Sequence, residues 1–154
     1  MLTTLAQLDI GFSESSVGFN ADRAATWKAG QLVSFIGAAN DTKFENRQKV
    51  GGYVSQVAIG VSAFDKLAGE TSISVITGLI WPIRIDPATT TASLVPLLND
   101  NYEVLVNASG NVVATGGVTL VSGGLTFTTL FVGASSIVNQ MGNDRYLLCQ
   151  RYTP

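Results

Sequence analysis

Histidine is missing from this 154-residue chain, and cysteine occurs once. Without histidine there is no Ser-His-Asp or Cys-His arrangement, nor the commonest general base near neutral pH. Cys149 cannot form an intrachain disulfide, and one cysteine cannot make a zinc site. It lies in the apolar run Tyr146-Leu147-Leu148-Cys149, where it reads as a small buried hydrophobe suited to a reducing compartment. Charge is scarce as well: Asp, Glu, Lys and Arg make up 13% of the residues, against a usual share of about 25%. The net charge is −2 and the nine basic residues are scattered, with Arg47 and Lys49 the nearest approach to a cluster. That argues against nucleic acid as a partner, because phosphate binding needs clustered cations. No apolar run reaches the roughly 18 residues of a membrane helix. The N-terminus lacks the basic region of a signal peptide, and Asp9 interrupts its apolar positions.

Other chemistry is absent by motif. There is no Gly-x-x-x-x-Gly-Lys phosphate loop, no Asp-x-Asp-x-Asp-Gly calcium loop and no Ser-x-x-Lys dyad. Two carboxylate pairs, Asp41 with Glu45 and Asp100 with Glu103, sit in polar, loop-like stretches. A carboxylate in such a setting is solvated, whereas acid–base work needs one buried beside a cleft. No catalytic, cofactor-binding or metal-binding residue is assigned, and the expectation is a protein that is not an enzyme and carries no cofactor. The sequons at Asn40 and Asn107 read as chance matches.

What remains is rich in Val, Ile and Thr, in short apolar runs broken by Gly, which is the pattern of an all-β chain. The first clear strand is Gln31 to Ile36. Gly51-Gly52 opens a longer one, on which Tyr53, Val57, Ile59 and Val61 share a face at period two. Ala63 to Gly69 reads as a turn. Ile73 and Val75 mark the next strand, and Leu79 to Ile85 another. Pro82 lacks the N–H of a central strand, which places that strand at an edge. Further strands follow at Tyr102 to Val106 and Val112 to Thr115, joined by a turn at Ala108-Ser109-Gly110-Asn111. A second hairpin is expected around Ser122-Gly123-Gly124, and Arg145 to Tyr152 closes the chain. No Lys or Arg occurs between Arg84 and Arg145.

The expected architecture is therefore all-β: a small barrel or sandwich of short antiparallel strands, an extended N-terminal arm and a second C-terminal β subdomain. The boundaries are 1–25 for the arm, 26–86 for the first β domain, 87–96 for a linker or long loop, and 97–154 for the C-terminal subdomain. The arm carries Leu5, Leu8, Ile10 and Phe12 without a sustained helical period, so these four are the candidate partner-binding residues, able to order against a neighbour's sheet edge. An aromatic groove for a receptor would draw on Trp27, Trp81, Tyr102 and Tyr152.

Several stretches follow a known pattern. Trp27-Lys28-Ala29-Gly30-Gln31-Leu32-Val33 is a turn-and-strand opening, followed by Ala58-Ile59-Gly60-Val61-Ser62, Ala68-Gly69-Glu70-Thr71, Ile73-Ser74-Val75 and Gly78-Leu79-Ile80-Trp81. Over about residues 27–85 the chain resembles the tailed-bacteriophage head decoration (capsid cement) proteins. The resemblance implies a virion structural protein, assembled in the host cytoplasm and located on the capsid surface. It would form a homotrimer and bind the major capsid protein, bridging neighbouring subunits, with no nucleic-acid or membrane partner. The segment from about Leu97 onward departs from compact members of that family. The alternative is a phage tail or fibre component that binds a host receptor.

Overall fold

The computed structural model describes residues 16–37, 48–54, 58–78, 80–94, 104–115, 127–129, 137–139 and 144–151. The chain is all-β, as its composition implies. Five strands form the first sheet: β1 (Ser16–Asn20), β2 (Leu32–Phe35), β3 (Val50–Gly52), β4 (Gly60–Ser62) and β5 (Ser72–Ile76), in the order β1-β5-β4-β2-β3 and antiparallel throughout. The sheet curls until its end strands meet. Ala21, just past β1, makes a parallel bridge to Val50 of β3, and the Asp22 N–H donates to the Val50 carbonyl at 2.8 Å. The result is a small barrel closed along one short seam.

Alternation along these strands sends neighbouring residues to opposite faces. Val33, Val50, Ile73 and Val75 point inward, where they pack with Ala21 and Trp27. Leu32, Val61 and Ile76 point outward into a larger core with Trp81, Ile83, Ile85, Leu94, Val104, Val112, Leu147 and Cys149. The outer core is roofed by a second sheet in which β11 (Arg145–Arg151) pairs with β6 (Ile80–Arg84), β9 (Phe127–Thr129) and β10 (Ile137–Asn139). A hairpin of β7 (Val104–Val106) and β8 (Val112–Thr115) covers the flank, and α1 (Thr91–Leu94) contributes the fully buried Leu94.

Some expectations change. The long strand from Gly51 to Val61 is instead two strands on opposite sides of β2, with Gly52 and Gly60 both paired to Val33. Tyr53 and Ala58 lean on the outer core while Ile59 leans on the barrel core, so the period-two pattern does not mark one face. The boundaries near 25 and at 87–96 do not divide the packing either. β1 is the first strand of the barrel, Leu94 is a core residue, and β6 forms its ladder with β11 from Tyr146↔Arg84 to Gln150↔Ile80.

Pro82 sits as expected. Arg84 N–H points away from β11 and donates to the Gly30 carbonyl at 2.7 Å, so the nitrogen of Pro82, two residues earlier, also points away from the ladder. No ladder bond is lost there.

Candidate functional site

Leu5, Leu8, Ile10 and Phe12 lie outside the described residues, as do Asp41, Glu45, Asp100, Glu103, Tyr102 and Tyr152. One edge of β1 is taken by β5. Among the described residues its other edge meets a neighbour only beyond its end, at the Ala21–Val50 bridge. Apolar side chains gather at this incompletely closed seam. Val17 is 47% exposed and Phe35 36% exposed. Phe19, two residues from Val17 and on the same face, meets the Phe35 ring edge-on at 5.5 Å between centroids. An apolar strip beside an open strand edge is a surface suited to strand addition and apolar contact.

Of the four aromatics considered for a receptor groove, only Trp27 and Trp81 are among the described residues. Trp27 and Trp81 are both buried. The Trp81 indole N–H donates to the Gly78 carbonyl at 2.7 Å, and that of Trp27 to Ser62 Oγ at 2.7 Å. Ser62 Oγ in turn donates to the Phe64 carbonyl at 2.6 Å.

Trp27 belongs to a clip that fastens the chain before β2 to the loop before β5. Trp27 and Lys66 exchange two backbone hydrogen bonds, 3.2 and 2.8 Å long. The Lys66 side chain is buried, and its Nζ donates to the Ala25 carbonyl at 2.6 Å and the Leu67 carbonyl at 3.2 Å while standing 5.4 Å from the Trp27 ring centroid. Asp65 Oδ1 accepts from the Ala29 N–H at 2.7 Å. A cleft of about 310 Å³ opens beside the clip, lined by Trp27, Lys28, Gln31, Asp65 and Leu67 among others. Its Lys66 ammonium is engaged by carbonyls and an aromatic face.

A second polar hub joins barrel, β6 and the β7–β8 hairpin. Asp86 Oδ1 accepts from the Ala88 N–H at 3.0 Å and its Oδ2 from Asn107 Nδ2 at 2.8 Å. The Ala88 N–H, with the Asn111 and Asn107 side chains and nearby Arg84, holds the Asp86 carboxyl below its ordinary pKa. Asn107 Oδ1 accepts from the Ser109 and Asn111 N–H groups at 3.0 and 3.1 Å, which closes the turn around Gly110 at φ +80°. Asn111 Oδ1 accepts from Gln31 Nε2 at 3.0 Å, and Gln31 Oε1 from the Lys28 N–H at 2.7 Å. Arg145 pins the 86–91 loop, donating to Thr91 Oγ1 at 2.9 Å and to the Asp86 and Thr89 carbonyls. The Asn107 sequon is thus explained by turn geometry, its amide engaged on both sides.

The sequence gives no hint that Lys66, Arg84 and Asn111 are buried; residues of these types are ordinarily solvated. Asp86-Pro87 and Asn107-Ala108-Ser109-Gly110 did carry a readable signal as turn formers whose side chains bond their own backbone. Cys149 is fully buried, and desolvation pushes its thiol far up, so it stays protonated and unreactive. Among the described residues no three His, Cys, Asp or Glu side chains come together to hold a metal, and no helix is long and apolar enough to cross a membrane. Comparison of the chain with protein-family models, curated proteins and solved structures returns no match.

Proposed function

We propose that this protein is a structural component of a phage virion that decorates the outer surface of the head, binding the major capsid protein and bridging neighbouring subunits as a homotrimer. It acts by binding rather than by catalysis. The observation that carries this reading is the apolar strip of Val17, Phe19 and Phe35 beside the edge of β1 that no described strand takes. The low charge of the chain and its resemblance to head decoration proteins over residues 27–85 support it. Residues 1–15, with Leu5, Leu8, Ile10 and Phe12, precede the strip directly and are the second part of the contact.

The test is co-sedimentation of the full chain with empty, expanded heads of its cognate capsid protein. Binding through apolar burial and strand pairing changes little between about 50 and 200 mM salt, whereas a contact made to several phosphates or acidic groups weakens steeply. Val17→Asp should lower affinity about tenfold or more while leaving the far-ultraviolet circular dichroism unchanged. Failure to sediment with heads, or a steep salt dependence, would sink the proposal. Light scattering coupled to size exclusion reads the trimer.

A further inference from the structure

Arg84 and Tyr146 carry polar atoms that none of the described residues satisfies. Arg84 is 9% exposed, and its Nη2 meets Asp144 Oδ1 at 3.1 Å. Its Nε and Nη1, together with the Tyr146 hydroxyl, are buried without a hydrogen-bond partner. The two residues are opposite each other in the β6–β11 ladder. Since the Arg84 N–H donates away from β11, to Gly30, this is a non-hydrogen-bonded pair, the kind whose α-carbons approach to about 4.5 Å and whose side chains stand closest. Gly30 closes over them at φ +89°: a β-carbon there would lie 2.5 Å from Tyr146 Cε1 and 3.0 Å from Arg84 Cβ. The two side chains therefore lie on one face of the ladder, under a turn of the barrel.

A buried N–H or hydroxyl with no acceptor bears the full cost of its lost hydration, so groups of this kind are nearly always met by protein or by ordered water. We infer that Arg84 and Tyr146 form a buried site for ordered water at the junction of the barrel and the second sheet. The water accepts from the Arg84 guanidinium and bridges to Tyr146 Oη. Such a water needs two to four polar partners, and the pair supplies guanidinium donors and a hydroxyl that both donates and accepts. Charge selects water over an anion. The Arg84 cation is already matched by Asp144, and Asp65 adds a second negative charge felt at Tyr146. A bound anion would be a third.

The variant Tyr146→Phe keeps the ring against Gly30 and removes only the hydroxyl, so it tests the site without disturbing the packing. If the hydroxyl is bonded to water, its loss lowers Tm by about 2–4 °C for a chain of this size. A Tm that is unchanged or raised means the hydroxyl had no partner and overturns the inference. A crystal structure of the unaltered protein at about 1.5 Å resolution should show water density within hydrogen-bond distance of both Arg84 and Tyr146 Oη; its absence overturns the inference equally. Melting in chloride or formate, against a bulky sulfonate at equal ionic strength, separates the remaining ligand class. Equal Tm values fit water, and a Tm that rises with the small anion overturns it.

Discussion

The barrel core and the outer core are built by opposite strategies from the same strands. The barrel interior is aliphatic and assembled from residues 21–75, with Trp27 as its one large member. The outer core gathers residues from Ala29 to Cys149 and is dominated by Trp81, Tyr146 and branched aliphatics. Both cores are mainly apolar, and their polar fastenings differ. The barrel is fastened by a clip through Trp27 and Lys66, the outer core by the Asp86–Asn107–Asn111–Gln31 hub, and both join residues distant in sequence. The comparison teaches that the two cores share a wall. Leu32 and Val33, or Val75 and Ile76, are adjacent in the chain but buried on opposite sides of it.

A shared wall implies one cooperative transition. Trp81→Ala should remove about 3–5 kcal/mol and Val33→Ala about 2 kcal/mol, each shifting a single urea midpoint followed by circular dichroism and by tryptophan fluorescence. Two resolved transitions in either variant would mean that the cores unfold separately.

Alkali acts on the outer core through Tyr146. Burial raises its hydroxyl to about 12, with Asp144 and Asp65 adding to the rise and Arg84 opposing it. A tyrosine protonated more tightly in the folded state contributes stability that is intact below its unfolded pKa of about 10 and is lost as pH climbs to the folded value. Denaturation between pH 10 and 12 should therefore show a loss that, reduced by solvent screening, is on the order of 1 kcal/mol and is absent from Tyr146→Phe. If both proteins lose stability equally, Tyr146 is not the responsible group.

At the junction, Asn107→Ala removes one bond to Asp86 and two within the turn, and should cost about 2 kcal/mol by thermal or urea unfolding. Asp86 acts in the other direction of pH. Its depressed carboxyl contributes stability above the ordinary value of 3.8 that disappears as pH falls through the folded value. Asp86→Asn should flatten the acid limb of the stability profile; a limb unchanged in that variant would assign it to other carboxylates.

The smallest effect belongs to the loop of the barrel clip. Gly69 has φ +94° with open space around its missing β-carbon, so Gly69→Ala carries only backbone strain, about 1 kcal/mol. Gly30→Ala adds a collision with Tyr146 to the same strain and should cost clearly more. Equal losses at the two glycines would show that the Tyr146 ring moves freely aside.

Much of the local structure was legible because it obeys local rules. The β7–β8 hairpin, β5 and β11 all follow alternation or apolar runs flanked by turn formers, and Pro82 marked an edge through its missing donor. The route from β3 to β4 was not legible, because alternation continues through Tyr53 and Ile59 although the chain crosses from one side of β2 to the other. The pairing of β6 with β11 was hidden for a different reason: a partner about sixty residues away leaves no trace in composition. Of the candidate interaction surface, the sequence reading marked the arm, with Val17 and Phe19 among its apolar points, but not Phe35. The meeting of Phe19 with Phe35 depends on the curl of the sheet.

The shared wall also changes how strand register is protected. In a sheet with one wet face, slipping a strand by one residue exposes its apolar set, and that penalty fixes the alignment. Here a slip of β2 or β4 would only trade one apolar interior for another, so hydrophobicity alone is a weak guard. Gly60 supplies a steric one: a β-carbon at its position would stand 2.3 Å from the Ile76 carbonyl oxygen, and one at Gly51 would stand 2.6 Å from the Ile36 side chain. A one-residue slip of β4 would present Ile59 or Val61 to the gap at Gly60, so that glycine works as a key that admits one alignment of β4 and jams its neighbours.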